Sequence, residues 1–242
     1  MNQVSVITFL LCQMVGWLVI TPVLAQCRDV REMSGSAGVL TVHLESPCRA
    51  GQQASVIYQD RDYDVTFDAA GRAERIIAVP EQAATIDVEY ADGPPRPTDV
   101  AMPELTRTLL IVLRWSAATA LDLHVIEPGG SLLGNGDAYL RSSRGPGGAG
   151  RLFSSGSPPG GWREQIYQAP EPPGAPMLLR NIFVDVFGRD DQGRPPQCQP
   201  GGTTAAFEVV VAERGTLRQI PVAAAPCGTM LQNNRGYIHV RY

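Results

Sequence analysis

The chain has 242 residues, 44% of them hydrophobic, and a formal net charge of −4. That balance supports a packed core and gives no basic footprint for nucleic acid. Glycine and proline are abundant, at 25 and 20 residues, with much of the excess between residues 128 and 202, which points to long turns.

Residues 4 to 25, VSVITFLLCQMVGWLVITPVLA, form an apolar run that ends in the small-residue pattern Val23-Leu24-Ala25. This predicts a signal peptide over residues 1–25 and a mature chain starting at Gln26. Gln13 and Pro22 interrupt the run and argue against a spanning helix, although Asn2 and Gln3 give an n-region without Lys or Arg. The order Leu24-Ala25-Gln26-Cys27 is close to a lipoprotein signal, but Gln26 stands where a small residue is needed. The expected location is therefore periplasmic or secreted, with no membrane span after cleavage.

Removing the signal removes Cys12 and leaves Cys27, Cys48, Cys198 and Cys227. An even set in an exported chain reads as disulfides. Three pairings are open, and the division of the chain selects Cys27–Cys48 and Cys198–Cys227, each contributing about 3 kcal/mol in a chain-entropy view. No C-x-x-C pair and no neighbouring histidine accompanies them, so no metal and no cofactor is expected.

After Cys27 a short polar segment precedes strands predicted at 39–44, 54–58, 63–67, 75–79 and 85–90. Gly71 is read as a turn residue at positive φ. Short strands at this spacing predict a small antiparallel sandwich over residues 26–92. Asp60, Asp62 and Asp64 form a D-x-D-x-D run, but Val65 stands where a calcium loop needs glycine, so a hairpin turn is the reading. Residues 93–104 hold GPPRPTDVAMP and are read as a semi-rigid linker. A second β-sandwich is predicted over residues 105–242.

That unit begins with LLIVLRWSAATALDLHVIEPGG, residues 109 to 130, read as a hairpin. Leu109, Ile111, Leu113 and Trp115 share one face of the first strand. Leu121, Leu123 and Val125 share one face of the second, leaving Asp122 and His124 on the other, outward face. Further strands are predicted at 131–133, 138–141, 151–154, 162–168, 177–187, 207–211, 217–222 and 237–242. No helical periodicity longer than two turns follows the signal. The fold class is thus all-β, two antiparallel β-sandwich domains in tandem after a signal peptide.

The turn Asp68-Ala69-Ala70-Gly71-Arg72 resembles hairpins of carboxypeptidase-regulatory-like and transthyretin-like modules. Leu113-Arg114-Trp115, Leu121-Asp122-Leu123-His124-Val125 and Pro128-Gly129-Gly130, followed by Gly134-Asn135-Gly136 and Gly160-Gly161-Trp162, resemble the YfaP-like bacterial exported domains. The resemblance implies a β-rich exported domain of about 130 residues. Ala120 and Phe153 stand where that pattern carries acids. Asp122, His124, Glu127, Asp137 and Glu164 remain as candidate binding residues.

The histidines His43, His124 and His239 fall on separate predicted strands, and no H-E-x-x-H, G-x-S-x-G or P-loop occurs. No catalytic residue is assigned. The leading expectation is an exported, non-enzymatic two-module protein that binds a protein or envelope component. The alternative is a hydrolase, or an accessory domain of one, acting on envelope polymer through Asp122, His124 and Glu164. It requires those three side chains to share a cleft.

Overall fold

The computed structural model describes residues 29–116, 120–131, 137–138, 150–155, 161–171, 181–187, 207–222 and 238–239. They are all-β, with two short 3₁₀ turns at Pro47–Arg49 and Pro103–Arg107. The candidate signal peptide and Cys27, Cys198 and Cys227 lie outside the described residues. Cys48 is disulfide-bonded, and its partner also lies outside them.

The N-terminal half contains β1 (Val30–Ser36), β2 (Val39–Glu45), β3 (Gln53–Tyr58), β4 (Arg61–Thr66), β5 (Arg72–Ala78), β6 (Ala83–Tyr90) and β7 (Arg96–Ala101). They form sheet A, ordered β1-β2-β5, and sheet B, ordered β4-β3-β6-β7, with every pairing antiparallel. Alternation is clean: Val42 and Leu44 are buried and His43 and Glu45 exposed; Ala54, Val56 and Tyr58 point inward from β3. Gly71 has φ of 73°, as its turn requires. A Cβ there would come within 2.3 Å of the Ser46 carbonyl oxygen. Asp60 lies in the β3–β4 turn and Asp62 and Asp64 alternate along β4.

Two segments differ from expectation. The polar stretch after Cys27 is strand β1, paired along its length with β2. The proline-rich stretch read as a linker contains the paired edge strand β7 and the second 3₁₀ turn, with Met102 and Leu105 buried. Proline is compatible with an edge strand, where an outward nitrogen has no ladder partner to lose.

The C-terminal half contains β8 (Thr108–Ser116), β9 (Ala120–Ile126), β10 (Asp137–Ala138), β11 (Arg151–Ser154), β12 (Trp162–Pro170), β13 (Asn181–Phe187), β14 (Phe207–Glu213), β15 (Thr216–Val222) and β16 (Ile238–His239). Sheet C is ordered β11-β12-β8-β14-β15 and sheet D β10-β9-β13-β16. The expected hairpin of β8 and β9 is therefore an arch between sheets. The Leu109–Trp115 face and the Leu121–Val125 face pack against each other in one core instead of pairing edge to edge. Two strands with one apolar face each bury both faces at once this way.

The opposite face of sheet C is also covered. Leu110, Val112, Ile166, Val210 and Ala212 belong to the same core as the residues of sheets A and B. Strand β8 is thus buried on both sides, which explains its near-continuous apolar run. The two halves meet across a shared face and are not held apart by a tether.

Candidate functional site

Strand alternation sends neighbouring residues of β12 to opposite sides of sheet C, and this divides the candidate residues. Gln165 and Tyr167 turn toward sheet D. The Gln165 side-chain amide donates to Asp122 Oδ1 at 2.9 Å and to the Leu121 carbonyl at 3.0 Å, and accepts from the Leu123 amide at 2.6 Å. These bonds tie the β12 side chain to the backbone of β9 at Leu121 and Leu123. The Tyr167 hydroxyl donates to Glu127 Oε1. Asp122 is 3% exposed and His124 0%, so the face expected to point outward is covered. Asp137 lies on β10 opposite Ile126.

Glu164 turns the other way. Its Oε1 accepts from Arg114 Nε at 2.5 Å and from the Tyr63 hydroxyl at 2.7 Å, and its Oε2 accepts from the Ala78 amide at 2.7 Å. The grouping of Asp122, His124 and Glu164 is therefore not assembled: sheet C separates Glu164 from the Asp122 side.

Glu164 is the centre of a buried charged layer between the N-terminal sheets and sheet C. Glu164, Arg114 and Glu208 lie in one row across β12, β8 and β14. Arg114 and Glu164 side chains are both 0% exposed. Arg114 Nη2 also donates to the Ala78 carbonyl at 2.9 Å. Arg61 Nη2 reaches Glu208 Oε1 at 2.6 Å, and Arg75 Nη2 donates to the Trp162 carbonyl at 2.6 Å. Arg75 also lies over the Tyr63 ring and Arg61 over Trp162.

The electrostatics follow from burial. Burial is the largest single influence on Arg114 and lowers its pKa, but the Glu164 carboxylate together with Tyr63 and Tyr58 outweighs it and the net shift is upward. Arg75 is shifted downward, because burial outweighs the same carboxylate at longer range. The Tyr63 hydroxyl is pushed upward by burial and then by Glu164, and stays protonated as a donor. Not every donor is matched: Arg114 Nη1 stands 3.7 Å from Glu208 Oε1, and Arg61 Nε and Arg75 Nε are buried without a hydrogen-bond partner.

No known protein family, curated protein or solved structure matches this chain.

A second acidic pair lies at the far end of sheet C. Glu213 closes β14 and Glu171 follows β12, where the Glu171 amide donates to the Arg107 carbonyl at 2.7 Å. Burial, then the Glu171 carboxylate, raise Glu213 to about 7. Arg214 Nε stands 3.6 Å from Glu171 Oε2.

Two clefts open on the N-terminal half. One of about 460 Å³ lies on sheet A beside the exposed His43–Glu74 pair, which is 3.2 Å apart. The other, of about 340 Å³, lies between β1 and β7. None of the candidate binding residues lines either cleft. Sequence reasoning missed Arg114, Gln165, Tyr63 and Tyr167. Arg114 had a readable signal: a lone charge inside an apolar strand must be paired when buried.

Proposed function

We propose that this is an exported, non-enzymatic β-protein that binds a protein or envelope component in the periplasm or outside the cell. In this reading sheets A and B form one module and sheets C and D a second, docked through the face they share. The YfaP-like resemblance and the pairing Cys27–Cys48 and Cys198–Cys227 belong to the same proposal.

One observation favours it over the hydrolase alternative. Glu164, a candidate for polar chemistry, is engaged on both oxygens in holding β4, β5 and β8 together, which is a scaffold role. The hydrolase alternative needs Glu164 beside Asp122 and His124, and Glu164 faces the N-terminal sheets.

The test is a pull-down from an envelope fraction with the chain starting at Gln26, alongside mass spectrometry of the exported protein. The expected results are a specifically retained protein or envelope component and an N-terminus at Gln26. Release of soluble fragments from envelope polymer by the purified protein, lost in Glu164→Gln, would replace this reading with the hydrolase.

A further inference from the structure

The cleft between β1 and β7 lies between the edges of two sheets, and the turns at their ends set the hydrogen-bond parity of both edges. The β1–β2 turn is Ala37-Gly38, with φ of 53° and 88°, the two-residue turn with both residues at positive φ. Such a turn is closed by a hydrogen-bonded pair, here Ser36 and Val39. Antiparallel pairs alternate. Ser36, Ser34 and Glu32 therefore turn their backbone groups to β2, and Gly35, Met33 and Arg31 turn theirs outward. The far side of β2 agrees: the Val79 amide donates to Gly38, so the even residues of β2 face β5 and its odd residues face β1.

On β7, the Met102 amide donates to the Gln82 carbonyl at 2.8 Å. That assigns Val100 and Thr98 to the β6 ladder and turns Ala101, Asp99 and Pro97 outward. The cleft is lined by Arg31, Met33 and Gly35 on one wall and by Thr98, Asp99, Val100 and Ala101 on the other. On β1 the lining residues are the ones that parity turns outward; on β7 they include the outward Asp99 and Ala101. Among the described residues no backbone bond crosses it. Leu40 and Met102 also line it. At one end an entire arginine side chain crosses the mouth, Arg31 Nη1 donating to the Arg96 carbonyl at 2.9 Å.

We infer that this cleft binds an extended segment of a partner polypeptide, inserted as a strand between β1 and β7. It rests on the binding function proposed above and identifies the surface and the partner chemistry. Two facing rows of open amides and carbonyls recognise the backbone of an extended chain. Apolar side chains of that segment lie against the half-buried Met33 and Val100. The inserted strand joins sheets A and B into one sheet, ordered β5-β2-β1-segment-β7-β6-β3-β4, and removes both open edges.

The experiment selects binders for the full mature protein from a phage-displayed library of linear peptides, and tests them on Met33→Pro and Met33→Ala. Met33→Pro deletes an outward amide and spares the β1–β2 ladder. It is expected to weaken binding at least about tenfold, with Met33→Ala within about threefold. A second arm does not depend on how the variant folds. A strand paired on both sides uses its amides alternately toward each wall, so single N-methylation at successive central positions of the peptide weakens binding every time. Binding that tolerates N-methylation at every position, or that is equal in Met33→Pro and the parent, overturns the inference. So does a library that yields no binder. An envelope partner retained without competition from the peptides leaves the binding function standing and removes the cleft from it. No partner and no peptide removes both.

Discussion

Replacing Arg114 by Met measures how firmly the two halves are joined. The substitution keeps the long aliphatic stem and removes a guanidinium that is fully buried against Glu164, with a 2.5 Å contact, and bonded to the Ala78 carbonyl. What remains is a carboxylate without its counter-ion in a layer closed to solvent, still accepting from Tyr63 and Ala78. Removing one partner of a buried ion pair costs about 3–5 kcal/mol, a large share of the stability of an ordinary domain. Adding Glu164→Gln to Arg114→Met neutralises the stranded charge while keeping an oxygen for the Ala78 amide, and is expected to recover about half of the loss. Urea unfolding of the parent, single and double variants, followed by tryptophan fluorescence and by far-ultraviolet dichroism, reads the effect. Trp115 and Trp162 report on sheet C, and dichroism reports on all four sheets. The two transitions should coincide in the parent. A single-variant loss below about 1 kcal/mol, or a double variant less stable than the single, would refute the reasoning, because the layer would then not hold an uncompensated charge.

Stability should fall as pH rises toward neutrality. Glu213 is raised in the fold from 4.5 to about 7, so its contribution is fully present below about 4.5 and lost as pH rises through about 7; Glu213→Gln should flatten that drop, which is no more than about 3 kcal/mol, in thermal melts across the range. Gly71→Ala should cost more than about 2 kcal/mol in denaturant titration, because it combines a left-handed backbone with a Cβ placed 2.3 Å from the Ser46 oxygen. Gly51→Ala, also at positive φ but with open space around it, should cost less. His124→Ala should lower stability by about 1–3 kcal/mol, the loss expected of a fully buried polar side chain, while any partner that the parent protein retains is still retained by the folded variant. Non-reducing peptide mapping should join Cys48 to Cys27; a Cys48–Cys198 peptide would contradict the proposed pairing.

Most strands were legible because alternation is a local property. Val39 to Leu44, Ala54 to Tyr58 and Thr85 to Tyr90 carry period-two apolar patterns, and the structure has strands there. Strand β1 was not legible because VREMSGS is mostly exposed and carries little apolar signal. Strand β7 was masked by Pro97, which reads as a breaker although an outward edge nitrogen is compatible with a strand. The β8–β9 connection shows a limit of another kind: a short turn between two strands does not say whether they pair in one sheet or arch between two. The candidate site failed by one residue of parity. Glu164 was grouped with Asp122, and the side chain that meets Asp122 is its neighbour Gln165, because only the pairing of β12 with β8 decides which residue of β12 faces which layer.

The bond between Ala78 and Glu164 closes a loop of 86 residues, and that between Tyr63 and Glu164 one of 101. While the chain is being made, sheets A and B can assemble first, but Arg75, Ile77 and Tyr63 would then sit on a face awaiting a strand not yet delivered. Contacts of such separation form late and slowly. The half-assembled chain passes through a stage with an open, sticky surface carrying buried-type arginines in water. It is then most exposed to aggregation and proteolysis. A factor that holds the chain unfolded until β12 has emerged would raise the yield of native protein without touching its final stability.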